Sequence, residues 1–346
     1  MALDQVSLID ANPFGEMLLN GAMSKGGRKT FKAYDAAANS GMSFLVGELE
    51  KQDNNLIEPL TSVTWPRDMP VKTGGGWVEY TSMMSVNYGV SDPNDEGIYA
   101  GDANAIGTIE VDLGKDVYPV FTHLKALKVP LVSMNKLQQI GRSLEELLTN
   151  GLRLNYDKAL DNNVYIGSAR FGYYGLVNNP NVVTTMASTK AAGGTSWANA
   201  TPDEILSDIN AAINSAWAAS EYDISGIPNQ ILVPPAAFEI LLRKNSDAGN
   251  VSNLEYVLQN NVSKAQGREI TIQPCRWCIG AGTGSTNRLV AYVNAADKVY
   301  FDETVPLTRA LTQPSVEKAA YLTLYAAQYG PVKFRYYQCV NYTDGI

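Results

Sequence analysis

The alternation of apolar and polar positions divides the chain into stretches with a helical period and stretches with a strand period. The longest helical stretch begins at Asn135 and runs to about residue 165. Its apolar side chains recur at three- and four-residue steps, which predicts one apolar face over about seven turns at ~3.6 residues each. They are Leu137, Ile140, Leu144, Leu147, Leu148, Leu152, Tyr156, Ala159 and Leu160. Asn135 followed by Gln138 predicts a capping box, and Gly167 marks the expected end of the helix.

The segment before this helix has a strand period. Residues 116–132 place Tyr118, Val120, Thr122, Leu124 and Ala126 on one face. Leu127, Val129 and Leu131 continue the apolar series after a shift of one. A slip by one residue exchanges the two faces of a strand, so we predict a β-bulge near Ala126.

Residues 60–114 contain no credible helical period and are rich in Thr, Ser, Val, Tyr, Trp, Gly and Asp. Alternation at 78–90 predicts strand, and residues 92–97 predict a turn. A stretch of this length without a helix is uncommon inside a compact domain, which favours an extended β-hairpin that contacts another chain. A β-rich lobe of the same chain is the alternative.

Aromatic side chains supply much of the contact area at interfaces. The predicted inter-subunit contacts are Trp65, Arg67, Trp77, Tyr80 and Tyr88.

The second half of the chain alternates between helix and strand patterns, which predicts a mixed α/β domain over roughly 175–300. Thr201 as N-cap, with Pro202 at the first position and Glu204 completing a capping box, predicts a helix start. Predicted strands lie at 230–233, 269–273, 288–294 and 298–301. The tail from Val305 alternates again, and we expect it to return and pair with the strand before the long helix.

Composition adds that charged residues make up only 18% of the 346 residues, and that Tyr occurs 19 times. Sparse charge favours a chain whose surface is covered by other protein, although some enzymes are equally poor in charge. The net charge of −8 argues against nucleic-acid binding by the whole chain, so any DNA contact must be local. The basic cluster Lys25, Arg28, Lys29 and Lys32 is either a solvated tail or a binding patch.

Three Cys, no signal peptide and no membrane-spanning run suggest a reducing cytoplasm without disulfides.

No candidate for catalysis or metal binding has its partners in the sequence. His123 stands alone as the single histidine, and the Cys275–Cys278 pair lacks the further ligands of a structural zinc site. The glycines at 280–284 lack the Lys of a phosphate-binding loop, and the acidic turn at 92–97 lacks the final Glu of a calcium loop. Glu145 and Glu146 are adjacent and point in different directions on the helix. We therefore expect no active site, cofactor or metal, and an enzyme using Cys275 and Cys278 is the minor alternative.

The order of these parts resembles the major capsid protein of tailed bacteriophages, whose Hong Kong phage-type fold is shared with encapsulin nanocompartments. The most specific similarity is Val129-Pro130-Leu131-Val132-Ser133 running into the long helix, and Gly167 after it. The loop that follows, residues 172–180, reads Gly-Tyr-Tyr-Gly-Leu-Val-Asn-Asn-Pro.

The resemblance implies an α+β fold in four parts. Residues 1–59 form an N-terminal arm, 60–114 an extended loop over a neighbouring subunit, 115–174 with 305–346 a peripheral domain around the spine helix, and 175–304 an axial domain. It implies a non-enzymatic subunit that assembles into hexamers and pentamers of an icosahedral head. Scaffolding, portal and decoration proteins are the further partners, and double-stranded DNA is held by confinement. The basic cluster at 25–32 would face the lumen or a scaffolding partner. An encapsulin-like shell around cargo protein is the alternative.

Overall fold

The computed structural model describes residues 62–90, 108–139, 144–244 and 251–346. The predicted N-terminal arm, with Lys25, Arg28, Lys29 and Lys32, lies outside these residues. So does the predicted turn at 92–97.

The described chain consists of helices and strands that interleave along the sequence. Its α-helices are α1 (Trp65–Asp68), α2 (Leu131–Gln139), α3 (Leu144–Tyr165), α4 (Pro202–Ala219), α5 (Pro235–Leu241), α6 (Asn253–Asn260) and α7 (Val262–Ala265). Its strands are β1 (Val71–Thr73), β2 (Tyr80–Val90), β3 (Ile109–Pro119), β4 (Phe121–Pro130), β5 (Gly167–Ser168), β6 (Tyr173–Tyr174), β7 (Val183–Met186), β8 (Gln230–Val233), β9 (Thr271–Pro274), β10 (Arg288–Tyr292), β11 (Val299–Glu303), β12 (Val305–Ser315), β13 (Ala320–Tyr329), β14 (Val332–Phe334) and β15 (Val340–Asp344).

The long helix is present as α3, but the helical region begins earlier than the sequence pattern predicts. Helix α2 starts at Leu131, directly after β4, and therefore includes Asn135 in its interior. The predicted capping box at Asn135 is wrong, because Asn135 lies inside α2 and not at its start. At the actual start of α2, the Leu131 N–H donates to the Ala319 carbonyl at 3.0 Å. Gly167 follows the end of α3 with φ of 79°, as a helix-terminating glycine should.

A three-stranded antiparallel sheet, in the order β12-β13-β4, packs against α3. Strand β4 pairs with β13 without interruption, so the predicted bulge near Ala126 is wrong. The face toward α3 carries His123 and Lys125 beside buried Leu127. His123 stacks obliquely on Tyr156 of α3, with ring centroids 5.3 Å apart, and Lys125 donates a hydrogen bond to Asn155. These two polar residues take inward positions because the helix offers them partners.

The tail divides between three sheets. Strand β13 returns to β4 as predicted. Strand β14 pairs with β11 instead, in the sheet β1-β11-β14. Strand β15 lies inside the five-stranded sheet β7-β15-β10-β8-β9. The expectation that the whole tail pairs with the strand before the long helix is therefore wrong, because β15 is buried between β7 and β10.

Two hydrophobic cores hold these layers together. One joins α1 and α3 to the β1-β11-β14 sheet and to one face of the five-stranded sheet. The other packs α4, α5 and α6 on the opposite face of the five-stranded sheet. Helix α4 begins with the predicted capping box, in which the Thr201 hydroxyl and the Glu204 carboxylate each bond the other residue's backbone N–H. The predicted strands correspond to β8, β9, β10 and β11.

Candidate assembly surfaces

Strands β2 and β3 form a two-stranded ribbon, which we call the hairpin. They pair antiparallel over eleven residues each, from Tyr80 opposite Pro119 to Val90 opposite Ile109. At ~3.4 Å per residue each strand is about 37 Å long. Among the described residues, no third strand joins this sheet. A hairpin of this kind is marginally stable alone in water, so it needs a surface to pack on.

The two faces of the hairpin have opposite chemistry. Every second side chain of β2, from Tyr80 onward, lies on the same face as its partner in β3. Apart from Ser82 and Lys115, the side chains on that face are apolar. Its exposed members are Tyr80 (62%), Met84 (75%), Val86 (48%), Tyr88 (74%), Ile109 (73%), Val111 (59%), Leu113 (66%) and Val117 (53%). We call this set the apolar face. Contiguous exposed apolar surface of this extent marks a protein interaction site.

The opposite face is polar and carries Glu110, Asp112 and Asp116. Asn87 lies opposite Asp112 and Met83 lies opposite Asp116. One side of the ribbon therefore offers apolar contact and the other offers negative charge.

The root of the hairpin is fixed to the body by buried polar side chains. The Gln328 amide accepts a hydrogen bond from the Val78 N–H at 3.1 Å and donates one to the Val78 carbonyl at 2.6 Å. The Lys333 ammonium, with a residue exposure of 1%, donates to Thr81 Oγ1 at 2.7 Å and pairs with the Asp302 carboxylate at 2.5 Å. These bonds set the direction in which the ribbon leaves the body.

The predicted contact residues separate into two groups. Tyr80 and Tyr88 lie together on the apolar face, and Trp77, which is 59% exposed, precedes the hairpin. Trp65 and Arg67 lie instead in α1, a short helix within the stretch that we predicted to lack one. The assignment of Trp65 to an exposed loop was wrong because Trp65 is buried, whereas Arg67 is exposed.

The position of α1 explains this difference. Trp65 is 8% exposed and meets Phe301 edge to face at 5.7 Å, and Arg67 donates to the Asp68 carboxylate at 2.6 Å. One Asp161 oxygen accepts the backbone N–H groups of Thr64 and Trp65 at 3.0 and 3.2 Å. The other Asp161 oxygen accepts from Arg276 and the Trp277 indole. Asp161 of α3 therefore holds the start of α1 inside the fold.

Sequence reasoning missed most of the apolar face, including Met84, Val86, Val111 and Leu113. A signal was present in residues 109–113, where Ile, Val and Leu alternate with Glu and Asp. Period-two alternation of apolar and acidic residues is typical of an amphipathic strand.

The candidate chemical groups are embedded in structural contacts. Cys275 and Cys278 are 1% and 0% exposed, and a hydrogen bond that the Cys278 thiol donates to Cys275, together with burial, raises the pKa of the Cys278 thiol. A reactive cysteine requires a lowered pKa and exposure, so this pair has the opposite character. Burial, followed by the charge of Lys125, lowers the pKa of His123, which favours the neutral imidazole between its aromatic neighbours.

The described residues provide neither a metal site nor a membrane-spanning helix. Among the described residues, no group of three or more His, Cys, Asp and Glu side chains could hold a metal ion. Every helix in the described ranges is too short or too polar to cross a bilayer.

Comparison with known proteins identifies the family. The family model of the major capsid protein matches residues 95–346, well over half of the chain. The chain belongs to the major capsid protein family. Among curated proteins, no sequence match was found.

Solved structures confirm the fold of this major capsid protein. The capsid of Myoviridae phage XM1 superposes with a TM-score of 0.72 at 17% identity, covering 87% of this chain and 98% of the phage chain. The capsid of a native GTA particle gives a TM-score of 0.59 at 12% identity, covering 90% and 99%. Microbacterium phage Oxtober96 gives 0.56 at 14% identity, covering 86% and 93%. The predicted α+β capsid fold is therefore confirmed.

Membership of the family also settles the broad function. A major capsid protein is the subunit of a phage-type shell, and the virion is where it resides. The encapsulin-like alternative is not favoured, because the matching family model is that of the major capsid protein.

Proposed function

We propose that this major capsid protein assembles through its hairpin into hexamers and pentamers that close an icosahedral head around double-stranded DNA. The observation that supports the proposal is the exposed apolar face, from Tyr80 to Tyr88 and from Ile109 to Val117. Burying such a face against a second copy removes apolar surface from water, at ~25 cal/mol per Å². The contact is heterologous, and heterologous contacts repeated by rotation close into rings. Catalysis has no part in this function.

The proposal divides the chain by role. Residues 1–59 act as an N-terminal arm and 60–114, from the end of α1 onward, as the extended loop. Residues 115–174, with β12 and β13, make the peripheral part around α3. Residues 175–304 make the axial part, to which we add β15, since it pairs with β7 and β10. Trp77, Tyr80 and Tyr88 act as contacts between subunits.

The proposal also covers partners and place of synthesis. With a net charge of −8, the shell encloses DNA by confinement and weak contacts instead of high affinity. Lys25, Arg28, Lys29 and Lys32 face the lumen or a scaffolding protein. Portal and decoration proteins complete the head, no membrane takes part, and the chain is made in the host cytoplasm.

Electron microscopy of the purified protein tests this function against a variant without the hairpin. In that variant, Thr81 is joined to Tyr118 through Asn-Gly. These two residues are directly opposite in the hairpin, so a two-residue turn closes the ribbon and keeps the bonds at its root. The wild type is expected to form capsomers or shells, and the trimmed variant is expected to stay monomeric with a native circular dichroism spectrum. Shells from the trimmed variant would contradict the proposal, as would a wild type that never assembles, with or without a scaffold.

A further inference from the structure

The net charge of the chain is concentrated in one segment. Residues 73–114, which include most of the hairpin, contain seven acidic residues and no Lys, Arg or His. These acids are Glu79, Asp92, Asp95, Glu96, Asp102, Glu110 and Asp112. They account for seven of the eight net negative charges, so the rest of the chain is close to neutral. Within the described part of the hairpin, Glu110 and Asp112 lie on the polar face.

Positive charge is concentrated on one face of the sheet β1-β11-β14. Val71, Val299, Phe301, Val332 and Phe334 of this sheet point into the core. The residues between them therefore lie on the opposite face of the sheet, because neighbouring side chains in a strand face opposite ways. These include Lys72, Lys298, Lys333 and Arg335, grouped about Tyr300, and we call this surface the basic face. On that face the root of the hairpin covers Lys333, while Arg335 is exposed.

The cations of the basic face are held against aromatic rings. The Lys72 ammonium lies 4.0 Å from the centroid of Tyr300, and the Arg335 guanidinium lies 5.4 Å from the same ring. The Lys298 ammonium lies 4.4 Å from the ring of Tyr336. Stacking of this kind fixes flexible side chains at low entropic cost while their charge faces outward.

The acids beside these cations balance only part of their charge. Asp302 pairs with the buried Lys333, and the exposed Asp297 is the other acid near Lys72. Asp223 lies near Lys298, so four cations face three acids. Burial, and after it the neighbouring charge of Arg335, lowers the pKa of Lys72. The basic face therefore presents an excess of positive charge.

The hairpin of the same copy extends away from this excess. Its root touches the basic face at Tyr118, whose ring centroid lies 5.5 Å from the Lys333 ammonium. Asp112 and Glu110 are six and eight residues further out, at about 20 and 27 Å along the strand. The Debye length at physiological salt is about 8 Å, so these charges are screened from their own basic face.

We propose that the acidic side of the hairpin of one copy docks on the basic face of another copy, with Glu110 and Asp112 facing Lys72, Lys298 and Arg335. This inference rests on the proposed assembly and adds its recognition chemistry. Opposite charges would orient the ribbon and speed association, while the apolar face, on the other side of the ribbon, is buried in a separate contact. The contact joins the end of one hairpin to the root of the next, so its repetition around a ring leaves no copy unpaired.

Charge reversal with rescue tests this pairing. The first variant carries Lys72→Glu and Arg335→Glu, the second carries Glu110→Lys and Asp112→Lys, and the third carries all four changes. Assembly is followed by light scattering in 50 to 500 mM NaCl. Each double variant is expected to assemble at least about tenfold more slowly than the wild type at low salt, because electrostatic steering changes association rates by 10- to 1,000-fold. The fourfold variant is expected to recover the wild-type rate.

Controls separate folding from recognition. Arg153→Glu with Lys158→Glu reverses two exposed cations on α3 and is expected to leave assembly unchanged. The neutral variant Lys72→Gln with Arg335→Gln keeps the fold, as checked by its melting temperature, and is expected to assemble at an intermediate rate.

The outcomes also distinguish this inference from the function on which it rests. A wild type that never assembles contradicts the proposed function. A wild type that assembles while both double variants match its rate and salt dependence overturns the charged pairing alone. Normal assembly of the Lys72→Glu, Arg335→Glu variant, with loss of binding to a double-stranded DNA oligonucleotide, would assign the basic face to nucleic acid and also overturn the pairing.

Discussion

Replacing two side chains of the apolar face with threonine should block assembly without unfolding the subunit. Val86 and Leu113 lie directly opposite each other on the hairpin and are 48% and 66% exposed. Full burial of such a side chain contributes about 1.5–3 kcal/mol, so covering these exposed fractions contributes about 1–2 kcal/mol each. Threonine keeps one methyl group and a high strand propensity, so the double variant should lose about 2 kcal/mol per subunit contact. That corresponds to roughly a 30-fold weaker association.

Sedimentation velocity over a concentration series measures this effect as the concentration at which capsomers appear. The double variant Val86→Thr, Leu113→Thr should need roughly 30 times more protein, with an unchanged melting temperature, because both positions face solvent in the single chain. Val316→Thr, which changes a 94% exposed apolar residue in the turn between β12 and β13, is the matched control and should assemble as the wild type does. An unchanged assembly threshold would refute the role of the apolar face, and a large drop in melting temperature would show that the face packs within its own subunit.

Three further predictions concern the body of the subunit. Lys333→Met leaves the Asp302 carboxylate without its cation and should cost about 3 kcal/mol in urea unfolding, whereas adding Asp302→Leu should recover part of that loss. Folding lowers the pKa of His123 from its usual 6.5, so the unfolded chain binds the proton more readily and the folded state loses stability as the pH falls through 6.5. His123→Gln should therefore reduce the difference in unfolding free energy between pH 7.5 and pH 5.5. A variant with the same difference as the wild type would contradict this. A Cβ at Gly175 would lie 2.3 Å from the backbone of Tyr165, so Gly175→Ala should cost about 2 kcal/mol, while Gly151→Ala in open space on α3 should gain about 0.5–1 kcal/mol.

Elements determined by local chemistry were predictable from the sequence. The start of α4 follows from a threonine hydroxyl, a proline and a glutamate within four residues, and strand β8 from a short apolar run that Pro234 and Pro235 end. In both, the stabilising groups are near neighbours in the chain, so the pattern contains the cause.

Elements determined by distant contacts were not predictable. Helix α2 begins at Leu131, directly after β4, and the N–H at its start bonds to Ala319, far along the chain. Trp65 is buried because Asp161 holds the backbone before it and Phe301 packs on its ring. Strand β15 enters the middle of a sheet whose other strands lie far upstream. Hydrophobic periodicity carries no information on these pairings.

The assembly surface lies between these cases. Alternation placed Tyr80 and Tyr88 on one side of a strand, but the register with β3 was needed to join them to Val111 and Leu113. The basic face is less visible still, since Lys72, Lys298 and Arg335 come from three strands or their ends and meet only in the folded sheet.

The most direct test of hairpin-mediated assembly is electron cryomicroscopy of the assembled particle at a resolution that shows side chains. We expect the apolar face of every hairpin, from Tyr80 to Tyr88 and from Ile109 to Val117, to be buried against a second copy. Hairpins whose apolar faces remain open to solvent in a closed shell would contradict the account.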